Sequence, residues 1–355
     1  MKKFRTLTPF EYFSIVIGVS ALFISFLLFS SVTFNPYTLT VLGNIYIFVI
    51  LAVSYNLING VAGQFSLEPN GFVAIGAYVT AILILSPELK EEIFMLSSPY
   101  PFIKDVYVPN PFLVLIISGL VAAFIALLVS FPVFRVRGDY LAIVTLGFGF
   151  IIRTILINYP SISNGAMGID SIPDFASYVF IGVCALIIVI LVYNLVYSRF
   201  GRAMRAIKND EDAAVLMGID TFKIKTLAFV TSAFFEGVGG GLMASFIGAV
   251  SPDQFTFMMT FELLIIIVIG GLGSISGSIV ATFLFFGSME MLRPLDDAMW
   301  HFGPIHGVPG LRMVIFSLLL ILIILFARRG LFGEREIWDV VIDLYKKIKQ
   351  RRQNG

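Results

Sequence analysis

Apolar runs long enough to cross a bilayer recur from one end of this chain to the other, separated by short segments rich in glycine, proline or charge. Roughly 20 apolar residues in a helix match the hydrocarbon thickness. The first run follows MKKFR and continues to about Ser30. It is too long for the apolar part of a signal peptide, and no small-residue cleavage site follows it, so it reads as a first membrane helix. Further spans fall near 39–59, 68–85, 111–131, 139–157, 177–197, 226–250 and 310–327. Residues 261–292 are different. They form two short apolar arms, FELLIIIVIGG and IVATFLFFGSMEML, joined by LGSISGS.

Charge orients the spans. With the N-terminus inside, segments 1–9, 132–138, 198–225 and 327–355 face the cytoplasm and hold 19 of the 24 lysines and arginines. That is the bias expected of cytoplasmic loops. Residues 251–260 and 293–310 then both lie outside, so 261–292 must be a hairpin or a re-entrant pair. Its break is Gly270, Gly271, Gly273, Ser274 and Gly277. Broken backbone at membrane depth is tolerated where protein or a cavity supplies hydrogen bonds. Small residues also permit close helix packing. The break therefore reads either as part of a transport path or as a packing joint.

The polar segments carry the candidate chemistry. Residues 198–225, SRFGRAMRAIKNDEDAAVLMGIDTFKIK, place Arg199, Arg202, Arg205, Lys208, Asp210, Glu211, Asp212, Lys223 and Lys225 among Ala203, Ala206, Ala213 and Ala214. A plain cytoplasmic loop would carry such charge. A helix of small and charged residues closed by Gly218 also suits docking, because another protein's groove can approach its backbone. Residues 59–77 set Gln64, Glu68, Pro69 and Asn70 between Gly60, Gly63, Gly71 and Gly76. Glu68 either lines a pathway or caps the helix after Pro69. Glu236, within an apolar span, is costly to bury unless paired or protonated; it and Glu262 are cavity or interhelix candidates. The proline-rich loop 86–110 is a cap or a connector. The tail 334–352 has Ile337, Val341, Leu344 and Ile348 on one helical face, acids leading and bases trailing, as in a helix on a membrane surface.

Composition excludes a good deal. Apolar residues are 58% and charged residues 13%, about half the charge of a soluble domain. Net charge is +1, so nothing points to nucleic acid. The single cysteine, Cys184, has no partner for an internal disulfide and reads as packing. His301 and His306 share a loop without carboxylates at ligand spacing, so no metal site is expected. No GxxxxGK[ST], HExxH or GxSxG occurs, and no nucleophile–base constellation stands out.

Several stretches resemble, in colinear order over about 50–290, the permease subunits of branched-chain amino acid ABC importers, the LivM-type member above all. They are YNLINGVAGQFSLEPNGFVAIGAYVTA (55–81), FRVRGDYLAIVTLGFGFIIRTIL (134–156), SNGAMGI (163–169), the segment 198–244, SPDQFTF (251–257) and IVIGGLGSISG (267–277). Within the charged segment, Gly201, Arg202, Arg205, Ala206, Asp210, Glu211, Ala213, Ala214 and Gly218 match the family's pattern. One departure is clear: Glu68 and Pro69 replace the small residue and histidine of GQLSLG-H.

The resemblance implies an all-α polytopic membrane protein of about 8–10 transmembrane helices with a broken or re-entrant pair, a type II-like ABC importer permease. Residues 1–327 would form the permease domain, 198–225 its ATPase-coupling segment and 328–355 a basic amphipathic tail. It implies a second, LivH-like permease, two LivG/LivF-like ATPases using ATP and Mg, and an extracytoplasmic amino-acid-binding protein, all in a prokaryotic cytoplasmic membrane. The chain itself would bind no cofactor and hydrolyse no ATP. Gln64, Glu68, Asn70, Glu236, Gly270, Gly271, Gly273 and Ser274 are the candidate path residues. Permeases for urea, amides or other amino acids share the pattern. An ion-coupled carrier using Glu68 or Glu236 is a rival, and an intramembrane enzyme or scaffold a more distant one.

Overall fold

A computed structural model describes residues 9–94, 100–135, 140–296, 301–302, 305–306, 310–326, 330–333 and 336. In chain order the helices are α1 (Pro9–Thr33), α2 (Pro36–Asn56), α3 (Pro69–Ile84), α4 (Pro87–Ile93), α5 (Pro101–Lys104), α6 (Pro111–Val133), α7 (Tyr140–Asn158), α8 (Pro160–Ser163), α9 (Tyr178–Tyr197), α10 (Arg199–Asn209), α11 (Glu211–Leu216), α12 (Thr221–Ile247), α13 (Phe257–Gly270), α14 (Ile275–Met291) and α15 (Leu311–Phe326). Proline opens many of them, where its fixed φ and missing N–H cost nothing. Two two-residue strands, His301–Phe302 and Ile305–His306, pair antiparallel. The helix expected over 334–352 lies outside the described residues, apart from Glu336.

Six helices among the described residues are long and apolar enough to cross a membrane, or seven if α3 and α4, bent by 118°, form one broken span. Shorter apolar helices cover Ser20–Thr33 and Ile275–Met291. The chain is thus a polytopic all-α membrane protein, as its apolar runs predict. The sharply bent pair is α3–α4; the break anticipated in 261–292 separates two helices that pack on each other. At sixteen residues, α3 is about 24 Å long, short of the hydrocarbon thickness.

The axis of the bundle is α12, packed against α2, α3 and α6. Its GVGGG stretch makes this possible. A Cβ at Gly240 would lie 2.1 Å from the Val73 carbonyl oxygen, and one at Gly76 would lie 2.0 Å from that of Gly237. Backbones this close gain packing that larger side chains would prevent. On the outer side, α6 exposes Phe112, Ile116, Leu120, Phe124, Leu128 and Phe131 along one stripe, while Ser118, Gly119, Ala122 and Ala126 face inward. A continuous apolar face of that length is the surface a helix presents to lipid.

At one end of the bundle, the SNGAMGI loop meets the SPDQFTF loop: Ile169 and Val250 exchange two backbone bonds of 2.8 Å, and Arg153 pairs with Asp253 at 2.7 Å. At the same end, residues 86–94 and 100–110 pack around the buried Lys90, whose ammonium donates to the carbonyl oxygens of Ile103, at 2.9 Å, and Val106. Two short helices, α4 and α5, lie in these stretches. At the opposite end lie α10, α11 and the turn between α13 and α14.

If α12 is the axis because its glycines admit backbone, Gly240→Val should cost about 1–3 kcal/mol by overpacking. Gly287→Ala, where a Cβ meets open space, should be neutral. Thermal unfolding of the detergent-solubilised protein checks this; equal melting temperatures would contradict it.

Candidate functional site

The charged segment is two helices, not one continuous helix. Asp210 adopts an extended conformation (φ −159, ψ 107), ending α10, and its carboxylate caps α11 by accepting from Ala213 N at 2.9 Å. Gly218 ends the segment at φ +80, as its position predicts. The segment is pinned at several points. Gly201 allows α10 to turn tightly off α9, since a Cβ there would lie 2.0 Å from Val196 O. The Arg205 guanidinium donates to that same carbonyl at 2.6 Å and lies over the Tyr197 ring, and Arg202 donates to Tyr197 O at 3.3 Å. Both cations thus meet the carbonyl end of α9, where helix polarity favours them. Glu211 forms an ion pair of 2.7 Å with Lys225, whose side chain is 8% exposed, tying α11 to the base of α12.

Of the small residues singled out in the sequence, Ala213 is exposed, Ala206 half-buried and Ala214 buried. What the segment offers most freely is an apolar knob, Leu216 and Met217, 87% and 82% exposed beside half-exposed Val215. The sequence reading missed it. The signal was available: VLM immediately before the closing glycine of an otherwise polar segment.

Behind this segment the chain's irregular pieces meet. A π-helical turn, Leu57–Val61, extends α2. From its edge the Asn56 amide donates to Ser274 O at 2.9 Å and lies 2.8 Å from Ser278 Oγ, while its oxygen accepts from Gly273 N at 2.9 Å. Gly60 leaves no room for a side chain, since a Cβ there would lie 1.8 Å from Asn56 Oδ1. The Lys208 stem of α10 packs on Gly63, and its Nζ lies near Gly273, 3.6 Å from where a Cβ there would sit. Within the break, Gly271 (φ +112) and Gly273 (φ +98) need the freedom of glycine, and Gly270 meets Gly277 backbone to backbone. Ser274 Oγ caps α14 by accepting from Gly277 N at 3.0 Å. The break thus lies beside the charged segment, and its polar groups are bonded within the protein.

The carboxyls lie deeper. Glu68 and Glu236 are fully buried, within electrostatic reach of each other and of Tyr55. Glu68 occupies the N-cap position of α3 but makes no side-chain cap, and neither carboxyl oxygen has a hydrogen-bond partner. Ser232 Oγ lies 3.0 Å from Glu236 Oε1 and 2.7 Å from Ser54 O, leaving Glu236 Oε2 unbonded. Asn70 Nδ2 donates to Phe255 O at 3.3 Å and its Oδ1 is orphaned; Gln64 is half-buried at the rim. The path candidates therefore fall in two places: Glu68, Asn70 and Glu236 inside, and the glycine–serine break near the charged end. No group of three or more His, Cys, Asp or Glu suited to a metal occurs among the described residues.

Comparison with known proteins bears directly on this arrangement. Residues 37–325, from the start of α2 almost to the end of α15, match the family described as branched-chain amino acid transport system / permease component. The chain belongs to that family. It is 34% identical over 285 residues to the high-affinity branched-chain amino acid transport system permease protein LivM of Escherichia coli, covering 71% of this chain and 62% of that protein. It is 25% identical over 335 residues to LivH of Salmonella typhimurium, covering 89% and 99%, and 24% identical over 338 residues to a probable LivM of Methanocaldococcus jannaschii, covering 86% and 95%. The chain thus spans less than two thirds of the length of the Escherichia coli LivM protein. No solved structure matches.

Two buried carboxyls with most of their oxygens unbonded are expensive to keep, and a fold that retains them sacrifices stability. Glu236→Gln should therefore stabilise the fold by about 1 kcal/mol or more, read as a higher melting temperature of the detergent-solubilised protein. A lowered melting temperature would show instead that this carboxyl is a structural partner.

Proposed function

We propose that this chain is a membrane-spanning permease subunit of an ATP-driven importer for branched-chain amino acids. Its relatives are named for transport of that substrate. The observation that supports the mechanism is the knob of Leu216 and Met217, held on a segment rigidly joined to the membrane core. Large apolar side chains exposed in a charged setting mark a protein contact, and a few such anchors supply most of an interface's energy.

In this reading α10 and α11 seat in a groove of a cytoplasmic ATPase, with Asp210 and Asp212 orienting them. Two such ATPases bind ATP and Mg, so this chain needs no nucleotide site of its own. A second, LivH-like permease completes the pathway, and substrate arrives from an extracytoplasmic binding protein at the end bearing the Lys90 cap. The membrane is the prokaryotic cytoplasmic membrane, with both termini inside, as the excess of lysine and arginine in inside segments favours.

Force has a physical route. When ATP draws the ATPases together, α11 pulls on Lys225 through Glu211 and so on α12, which carries Glu236. Meanwhile α10 presses through Lys208 on Gly63 and Gly273, reaching the π turn and the α13–α14 turn. Alternating access follows as these elements move against the partner permease. Arg205 serves by fixing α10 to α9 rather than by touching the ATPase. Glu68 and Glu236 keep a second reading alive, an ion-coupled carrier, and the glutamate–proline substitution in the first motif leaves room for urea, amides or other amino acids as substrate.

Leu216→Asp and Met217→Asp lie far from the bilayer core and should leave membrane insertion intact. Copurification from native membranes should then lose the ATPase at least tenfold, the effect of one hot-spot residue, while the partner permease is retained. Undiminished recovery of the ATPase with both variants would contradict docking at α11.

A further inference from the structure

Beyond α15 the chain comes back to the turn between α13 and α14. Leu331 N donates to Ile269 O at 2.7 Å and Phe332 N to Gly270 O at 3.3 Å. Glycines make the approach possible: a Cβ on Gly271 would lie 2.3 Å from Gly333 O, and one on Gly330 would lie 2.7 Å from Gly271 Cα. Gly330 and Gly333 adopt φ of +72 and +61.

The returning segment delivers Glu336, which is 6% exposed. Its carboxylate accepts from Ile275 N at 3.0 Å and Ser276 N at 2.9 Å. It also lies 3.3 Å from Ser274 Oγ and accepts from the Ser276 hydroxyl. These groups form the first turn of α14, where a negative charge is favoured by the helix dipole and by charge-assisted hydrogen bonds.

Helix initiation alone does not account for this carboxylate. Ser274 already provides a local cap to Gly277 N. The second acceptor comes from some sixty residues further along the chain, after a whole further helix. Its effect is to fasten the turn on a second side, opposite the hydrogen bonds from Asn56 of α2, with the Lys208 side chain of α10 lying close by.

We propose that Glu336 is a positioning residue: together with residues 330–333 it straps the α13–α14 turn in place beside α10, so that displacement of the charged segment is passed to both helices instead of being absorbed by a loose turn. The strap touches neither substrate nor nucleotide. The coupling role rests on the importer reading; the tether itself does not.

Two measurements separate them. Hydrogen exchange on the permease follows the amides of Ile275 and Ser276. Glu336→Ala should speed their exchange by roughly tenfold or more, the worth of a hydrogen bond to a charged group. Glu336→Gln, which keeps one acceptor oxygen without the charge, should be intermediate. In the reconstituted complex with its ATPases and binding protein, Glu336→Ala should lower substrate moved per ATP several-fold while ATP hydrolysis persists, with partial rescue by Gln. Unchanged exchange in Glu336→Ala would overturn the strap. Faster exchange with an unaltered uptake-to-ATP ratio would overturn its coupling role. Wild-type uptake that ignores ATP would overturn the importer reading and the coupling with it, leaving the exchange result to decide the tether alone.

Discussion

Asn56 meets the requirement on which this architecture turns. Backbone withdrawn from water must find hydrogen-bond partners inside the protein, and this chain abandons regular helix at two adjacent places, after α2 and between α13 and α14. One buried carboxamide, at the edge of the first, serves the second. It extends from the last residue of α2 to the Gly273 N–H, the Ser274 carbonyl and the Ser278 hydroxyl. Ser66 and the loop before α3 are held similarly by Asn59, which accepts from Ser66 N at 3.0 Å, and by the Tyr55 hydroxyl, which donates to Ser66 O at 2.6 Å. Side chains from the end of α2 and from the π turn thus satisfy irregular backbone on either side of them.

That economy also gives the machine its stiffness. The π turn, the α13–α14 turn, Lys208 of α10 and the strap ending in Glu336 share one small volume. The glycine face of α12 extends the same logic inward, since helices in backbone contact transmit displacement with little side-chain slack. Glu211 and Lys225 join the outer segment to that axis. The carboxyls of Glu68 and Glu236, with three of their four oxygens unbonded, lie deeper, where the interior keeps polarity that packing alone does not explain.

Much of this was legible in the sequence. The spans followed from hydrocarbon length, the start of α3 from Pro69 and the close of the charged segment from Gly218. The glycine–serine break in 261–292 was visible as composition. Its location was not. Whether such a break faces a pathway or packs beside the charged segment depends on Asn56 and Glu336, distant in sequence and each an unremarkable polar residue by itself. The division of the charged segment at Asp210 was missed because the residue was read for its charge rather than as a cap. Leu216 and Met217 were passed over because charge dominated the segment. The side-chain cap that was one reading of Glu68 does not form: the residue sits at the N-cap position, but its carboxyl makes no hydrogen bond to the helix's first N–H groups.

The most direct measurement is photo-crosslinking from a reactive amino acid placed at position 216 in native membranes, with the adduct identified by mass spectrometry. Docking at α11 predicts capture of a nucleotide-binding ATPase, strengthened or lost as nucleotide is added. Capture of lipid alone, or only of further copies of this chain, would contradict it, and the charged segment would then be no more than a well-anchored loop.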